Sequence, residues 1–139
     1  MQITDIIDID APIERVWELT VDVEAWPRYT PTMTSVERLD DGEFGHGSTA
    51  RIKQPGQPQR VWTVTELSPM HRFAWTTKAA GTTMTGVHEL EPTATGTRNT
   101  LRVEIDGGSA WFVGRALAPA FRRAITQENL GFKAAAEKA

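Results

Sequence analysis

Apolar positions recur through residues 109–138 at helical spacing. Phe112, Val113, Ala116, Leu117, Ala120, Phe121, Ala124, Ile125 and Phe132 fall roughly at i, i+3, i+4 and i+7. This predicts one long amphipathic helix whose polar face carries Arg115, Arg122, Arg123, Gln127, Glu128 and Lys133. Gly107 and Gly108 end what precedes it, and Ser109 is the expected N-cap, its hydroxyl taking an orphan backbone N–H. At 1.5 Å per residue the helix would reach roughly 43 Å. A compact chain of this size has a radius of gyration of about 14 Å, so the helix would cross the molecule. Pro119 deletes one ladder bond and predicts a kink. Two helices broken at Pro119 are the alternative.

Ahead of that helix the period is mostly two. Residues 2–8 alternate loosely, with Ile3, Ile7 and Ile9 on one side, and predict a first strand. Asp10-Ala11-Pro12 then opens a helix, Asp10 as cap and Pro12 where its missing N–H costs little, with Ile13, Val16, Trp17 and Thr20 as the inner face. Asp22 starts a short second helical turn through Val23 and Trp26 that Pro27 stops. Strands are predicted at 33–40, 48–54, 60–67, 72–78, 83–91 and 99–106. Turn chemistry separates them at Asp40-Asp41-Gly42, Pro55-Gly56-Gln57-Pro58, Ser68-Pro69, Ala80-Gly81 and residues 93–96. Connections this short require antiparallel neighbours. The fold class is therefore α+β: a seven-stranded antiparallel sheet, two short helices between its first and second strands, and a long helix against one face.

Alternation assigns the faces. Met84, Gly86, His88 and Leu90 share one side of 83–91, Leu101, Val103 and Ile105 one side of 99–106, and Phe73 pairs with Trp75, Trp62 with Val64. These sets are expected inward. The strand at 60–67 is ambiguous because Val61 and Leu67 pull the other way. Glu89, Glu91, Arg102 and Glu104 are expected on a solvated outer face.

A chain of 139 residues is long enough for one domain, 1–139, with a core of its own. It has no cysteine, which excludes disulfides, thiolate metal sites and a cysteine nucleophile, and fits a reducing compartment. The net charge of −3 gives no reason to expect nucleic acid. No apolar run approaches a membrane span, and the first ten residues carry acids where a signal peptide carries bases. A cytoplasmic domain is expected. His46, His71 and His88 lack metal-ligand spacing, no Gly-x-Ser-x-Gly elbow occurs, and the glycines of 42–47 match no nucleotide-binding loop. His88 is the one titratable side chain assigned inward. It could orient a ligand carbonyl or act as a general base, or be a core histidine held by a neighbour.

The chain resembles the START-like (SRPBCC, Bet v 1-like) superfamily, which includes bacterial polyketide cyclase/dehydrase and lipid transport proteins. The resemblance lies in Asp10-Ala11-Pro12 with Val16-Trp17, Asp22-Val23-Glu24-Ala25-Trp26-Pro27, and Gly47-Ser48-Thr49. It continues through Arg60-Val61-Trp62-Thr63-Val64-Thr65-Glu66-Leu67, Pro69 leading to Phe73-Ala74-Trp75, Thr97 leading to Leu101, and the long helix. It implies a helix-grip fold in which the curved sheet wraps the C-terminal helix around an apolar cavity. The mouth would lie among residues 28–31, 55–58, 79–82 and 107–112, and Gly86 would leave room behind its strand. Aromatase/cyclases of the superfamily carry a cavity-facing Tyr and Arg. Here those positions fall at Met33, with Tyr29 nearby, and near Ser68, so the donors such chemistry needs are missing.

The leading expectation is therefore binding, transport or sequestration of a small hydrophobic ligand, such as a lipid or polyketide. Its wall would be Trp26, Met33, Ile52, Trp62, Trp75, Met84, His88, Phe112 and Phe121. No cofactor is expected. The alternative is a polyketide aromatase/cyclase- or dehydratase-like enzyme using His88 as acid/base. A third reading makes Trp111 and Phe112 an interaction surface, for which a homodimer is the simplest case.

Overall fold

The structure, a computed structural model, describes residues 1–79 and 81–138. Seven strands form one antiparallel sheet: β1 (Gln2–Ile9), β2 (Ser35–Arg38), β3 (Thr49–Lys53), β4 (Arg60–Ser68), β5 (Arg72–Ala79), β6 (Thr82–Pro92) and β7 (Thr97–Gly107). The order β1-β7-β6-β5-β4-β3-β2 is a meander from β2 to β7 that β1 extends at the far edge. Between β1 and β2 lie helix α1 (Ile13–Val21) and a 3-10 helix at Val23–Arg28. Helix α2 (Ala110–Glu137) ends the fold and runs unbroken through Pro119. Of the expected Ala80-Gly81 turn, Ala80 lies outside the described residues.

Packing explains the faces. Ile3 and Ile9 of β1 are buried while Ile6 is exposed, as period two requires. In β4 a register shift between Val64 and Glu66 resolves the mixed signal: Val64 pairs with Trp75, and after the bulge Leu67 pairs with Phe73 and reaches the core. One extra residue inverts the alternation, so Trp62, Val64 and Leu67 share the inner side and Val61 is outside. On the outer face Arg102 bridges Glu89 at 2.8 Å and Glu104 at 2.9 Å, and Arg72 bridges Glu66 and Glu89.

Several local expectations are corrected. Pro12, not Asp10, occupies the N-cap of α1, and no side-chain hydrogen bond caps either α1 or α2. Strand β2 spans only four residues. Asp40 leaves the ladder, its carboxylate accepting from Thr49 N–H at 2.8 Å and from Arg38 at 3.2 Å. The buried stripe of α2 is Gly114, Ile125, Glu128, Asn129, Phe132 and Ala136, so Glu128 belongs to the inner face. Near the start of α2 Trp111 is 62 % and Phe112 70 % exposed and Leu117 is exposed with them, although Gly114 between them is buried against Met1.

Two features fix where α2 lies. Asn129 Nδ2–H donates to the carboxylate of Asp5 at 2.7 Å, and Asn99 Nδ2–H donates to Asn129 Oδ1 at 2.8 Å, tying the helix to β1 and β7 through fully buried amides. At Gly131 the helix backbone meets the turn after the 3-10 helix: a Cβ there would stand 2.1 Å from the carbonyl oxygen of Tyr29. That oxygen belongs to backbone and cannot swing aside, so Gly131→Ala should destabilise the fold by about 2 kcal/mol despite alanine's better helix propensity. A lower urea midpoint at unchanged m-value is the expected readout.

Candidate functional site

Between α2 and the inner face of the sheet lies a cavity of about 70 Å³. The 3-10 helix and the turn after it supply Trp26 and Met33, and the strands supply Ile52, Trp62, Trp75, Met84, Gly86, His88, Leu101 and Val103. Helix α2 supplies Phe121, Ala124, Ile125 and Glu128, while Gln54 sits at the edge. Eight of the nine residues expected in a ligand wall are brought together here. Phe112 is not: it is exposed near the start of the helix and packs edge-on against Trp111 at 4.8 Å.

The hollow is narrow because its own aromatics occupy much of the space. Trp26 is the hub, with ring centroids 5.3 Å from Trp75, 5.2 Å from His88, 5.9 Å from Phe132 and 6.3 Å from Phe73. The absent side chain of Gly86 does not leave empty room. A Cβ there would already touch Trp75 at 3.3 Å and Trp62 at 3.7 Å, so the two indoles fill it. An apolar cavity of about 150 Å³ takes benzene and about 10–15 Å³ takes a water, so 70 Å³ is intermediate.

Three ionisable residues line this cavity: Arg102, whose guanidinium is paired with Glu89 and Glu104, and the buried His88 and Glu128. His88 is 5 % exposed, stacks on Phe73 at 5.2 Å with rings 12° apart, and has no hydrogen-bond partner in the protein for Nδ1. Burial draws its pKa from 6.5 to about 4, so the imidazole is neutral. Glu128, 8 % exposed, is the site residue that sequence reasoning misplaced on the polar face. Burial raises its carboxyl from 4.5 to about 8, opposed only by a hydrogen bond from Thr32. Thr32 in turn shares a hydrogen bond with Thr30 at 3.0 Å. Position alone could have found Glu128, since it lies three residues after Ile125 and four before Phe132 on one helix stripe.

Other candidate positions fall elsewhere. Tyr29 lines an outer groove between α1 and α2, Ser68 is exposed, and His46 and His71 are at the surface. Residues 79, 81–82 and 107–112 do not line the cavity. A shallow groove formed by Pro31, Thr32, Gln54, Pro55, Gln57, Ala120, Arg123, Ala124 and Gln127 shares Gln54 and Ala124 with it. Among the described residues no cluster of His, Asp or Glu converges as a metal site, and no helix is long and apolar enough to cross a membrane.

A curved antiparallel sheet closed over one long helix around an apolar hollow defines the helix-grip, START-like class. The family model described as polyketide cyclase/dehydrase and lipid transport matches residues 1–137, and the chain belongs to that family. A search of the curated proteins returns no match. Solved structures share the fold at low identity. A hypothetical protein of Helicobacter pylori, jhp0584, superposes with a TM-score of 0.81 at 14% identity, over 98% of this chain and 86% of that one. The di-domain ARO/CYC StfQ from the steffimycin biosynthetic pathway gives 0.80 at 11%, over 98% of this chain and 50% of that one. Ara h 8.0201 gives 0.75 at 13%, over 99% of both.

Proposed function

We propose that the domain binds a small hydrophobic molecule in this cavity and carries or sequesters it in the cytoplasm. The observation that carries the reading is His88 Nδ1, a buried polar atom on a cavity wall with no protein partner. Buried polar groups nearly always have a partner, and a molecule in the cavity can supply the one that His88 Nδ1 takes. The closed volume is below that of a drug-sized pocket. The half-buried walls Trp62 and Phe121 therefore move outward on loading, with entry beside Gln54 and Ala124.

Native mass spectrometry of freshly purified protein, followed by solvent extraction, tests this. A co-purified apolar compound is expected. With that compound, His88→Ala should weaken binding by less than about tenfold, because apolar burial at about 25 cal/mol per Å² supplies most of the affinity. An empty protein whose tryptophan emission is unmoved by apolar compounds would refute the reading.

A second reading is favoured by the sharing of one cavity by His88 and Glu128: a polyketide aromatase/cyclase- or dehydratase-like enzyme with His88 as acid/base. Met33 on the wall and exposed Ser68 offer no donor in place of the Tyr and Arg that the superfamily's aromatase/cyclases use. Turnover of a polyketide substrate that His88→Ala abolishes would favour the enzyme.

A further inference from the structure

We propose that the cavity selects an uncharged ligand carrying an oxygen acceptor, which Glu128 binds by donating its carboxyl proton, and that it rejects carboxylates and phosphates. This rests on the binding reading above and names the chemistry of its ligand. The buried ionisable groups of the wall are one carboxyl and one imidazole, and both are too deeply buried to ionise without a partner.

Among the described residues no Lys or Arg forms an ion pair with His88 or Glu128, and Arg123 of α2 lines the neighbouring groove with Gln54 and Ala124. From β6 the facing titratable group is His88 itself. From β7 it is Arg102, whose guanidinium is engaged on the outer face by Glu89 and Glu104. From β1 it is Asp5, bound to Thr126 and Asn129. Lys53 of β3 donates to the carbonyls of Gln54 and Gln57. From α1 it is Arg15, which donates to the carbonyl of Ala135 in the outer groove between α1 and α2. An anionic ligand would thus enter an apolar cavity that already holds one acid and whose one lining cation, Arg102, is committed to Glu89 and Glu104, at a large cost of desolvation.

A neutral ketone fits the same wall. With Thr32 donating to one carboxyl oxygen of Glu128, the proton on the other would serve an acceptor in the hollow. His88 Nδ1 is available as the second polar contact for a hydroxyl or carbonyl on the same molecule. The carboxyl loses its donor when it ionises, so ketone binding weakens as pH passes through about 8.

One five-membered ring with four substituents tests this by Trp indole NMR shifts: cyclopentanone, methylenecyclopentane, cyclopentanecarboxylate and cyclopentylamine. At about pH 6 the ketone is expected to bind at least about tenfold more tightly than the alkene, the carboxylate or the ammonium. Its affinity should fall more than about tenfold by about pH 9.5, where only a small fraction of Glu128 keeps its proton. Glu128→Gln keeps a donor and should remove the pH dependence. Glu128→Leu should level ketone with alkene. Carboxylate or ammonium binding equal to the ketone's, or a ketone preference that survives Glu128→Leu, overturns the inference. Equal binding of alkene and ketone overturns the inference alone, whereas no binding of either overturns the binding reading with it.

Discussion

Glu128→Gln is expected to make the protein more stable, and most so in mildly alkaline solution. In the folded state the carboxyl holds its proton up to about pH 8, while in the unfolded chain it loses it near 4.5. Between those values the folded state binds more protons than the unfolded one, so stability falls as pH rises, by about 1.4 kcal/mol per pH unit. Glutamine keeps the shape, can accept from Thr32 and carries no ionisation cost. The gain at about pH 8 should therefore be several kcal/mol, and near pH 4 it should vanish.

His88 acts in the opposite sense. Its pKa is depressed from 6.5 to about 4, so it contributes stability above 6.5 that is lost as pH falls through 4. The two slopes oppose each other between about 4.5 and 6.5, and only the Glu128 slope remains from 6.5 to 8. Urea unfolding across this range should show a wild-type decline above about pH 6.5 that Glu128→Gln removes. An unchanged decline would mean that the carboxyl is ionised in the folded state and that its burial has been misread.

Why Glu128 escaped a sequence reading is instructive. Charged residues are almost never fully buried unless paired, so residue type argued for the outside of the helix while helical phase argued for the inside. Phase was the better guide, because Ile125, Asn129 and Phe132 already fix the stripe in which Glu128 lies. At the helix start the error runs the other way. Trp111, Phe112 and Leu117 are apolar yet exposed, while Gly114 between them is the buried residue of these turns. Strand alternation was more reliable: inward Met84, His88, Leu90, Leu101 and Ile105 follow from period two alone. The bulge in β4 and the Asn99–Asn129–Asp5 chain have no local signature, being consequences of strand pairing and of contacts 30 and 124 residues apart in the chain.

Trp26→Ala should be the most destructive single change in the wall, with a loss of about 3–5 kcal/mol. The indole is 1 % exposed and touches four other rings, so its removal leaves a void that Phe73, Trp75, His88 and Phe132 cannot close without leaving their own packing. It also has a polar role. Its Nε1–H donates to the carbonyl of Leu19 at 3.2 Å, satisfying one of the orphan acceptors in the last turn of α1. Trp26→Phe separates the two contributions: it keeps a ring in the hub and loses the hydrogen bond, so about 1–3 kcal/mol is expected to go. Both values come from urea midpoints. The alanine variant, if it folds, adds a second readout, because the enlarged hollow should admit benzene-sized molecules that raise its midpoint in proportion to their occupancy. A Trp26→Ala protein as stable as the parent, and indifferent to such molecules, would mean that the cavity wall collapses freely. A wall that yields so easily could not impose the selectivity ascribed to Glu128 and His88.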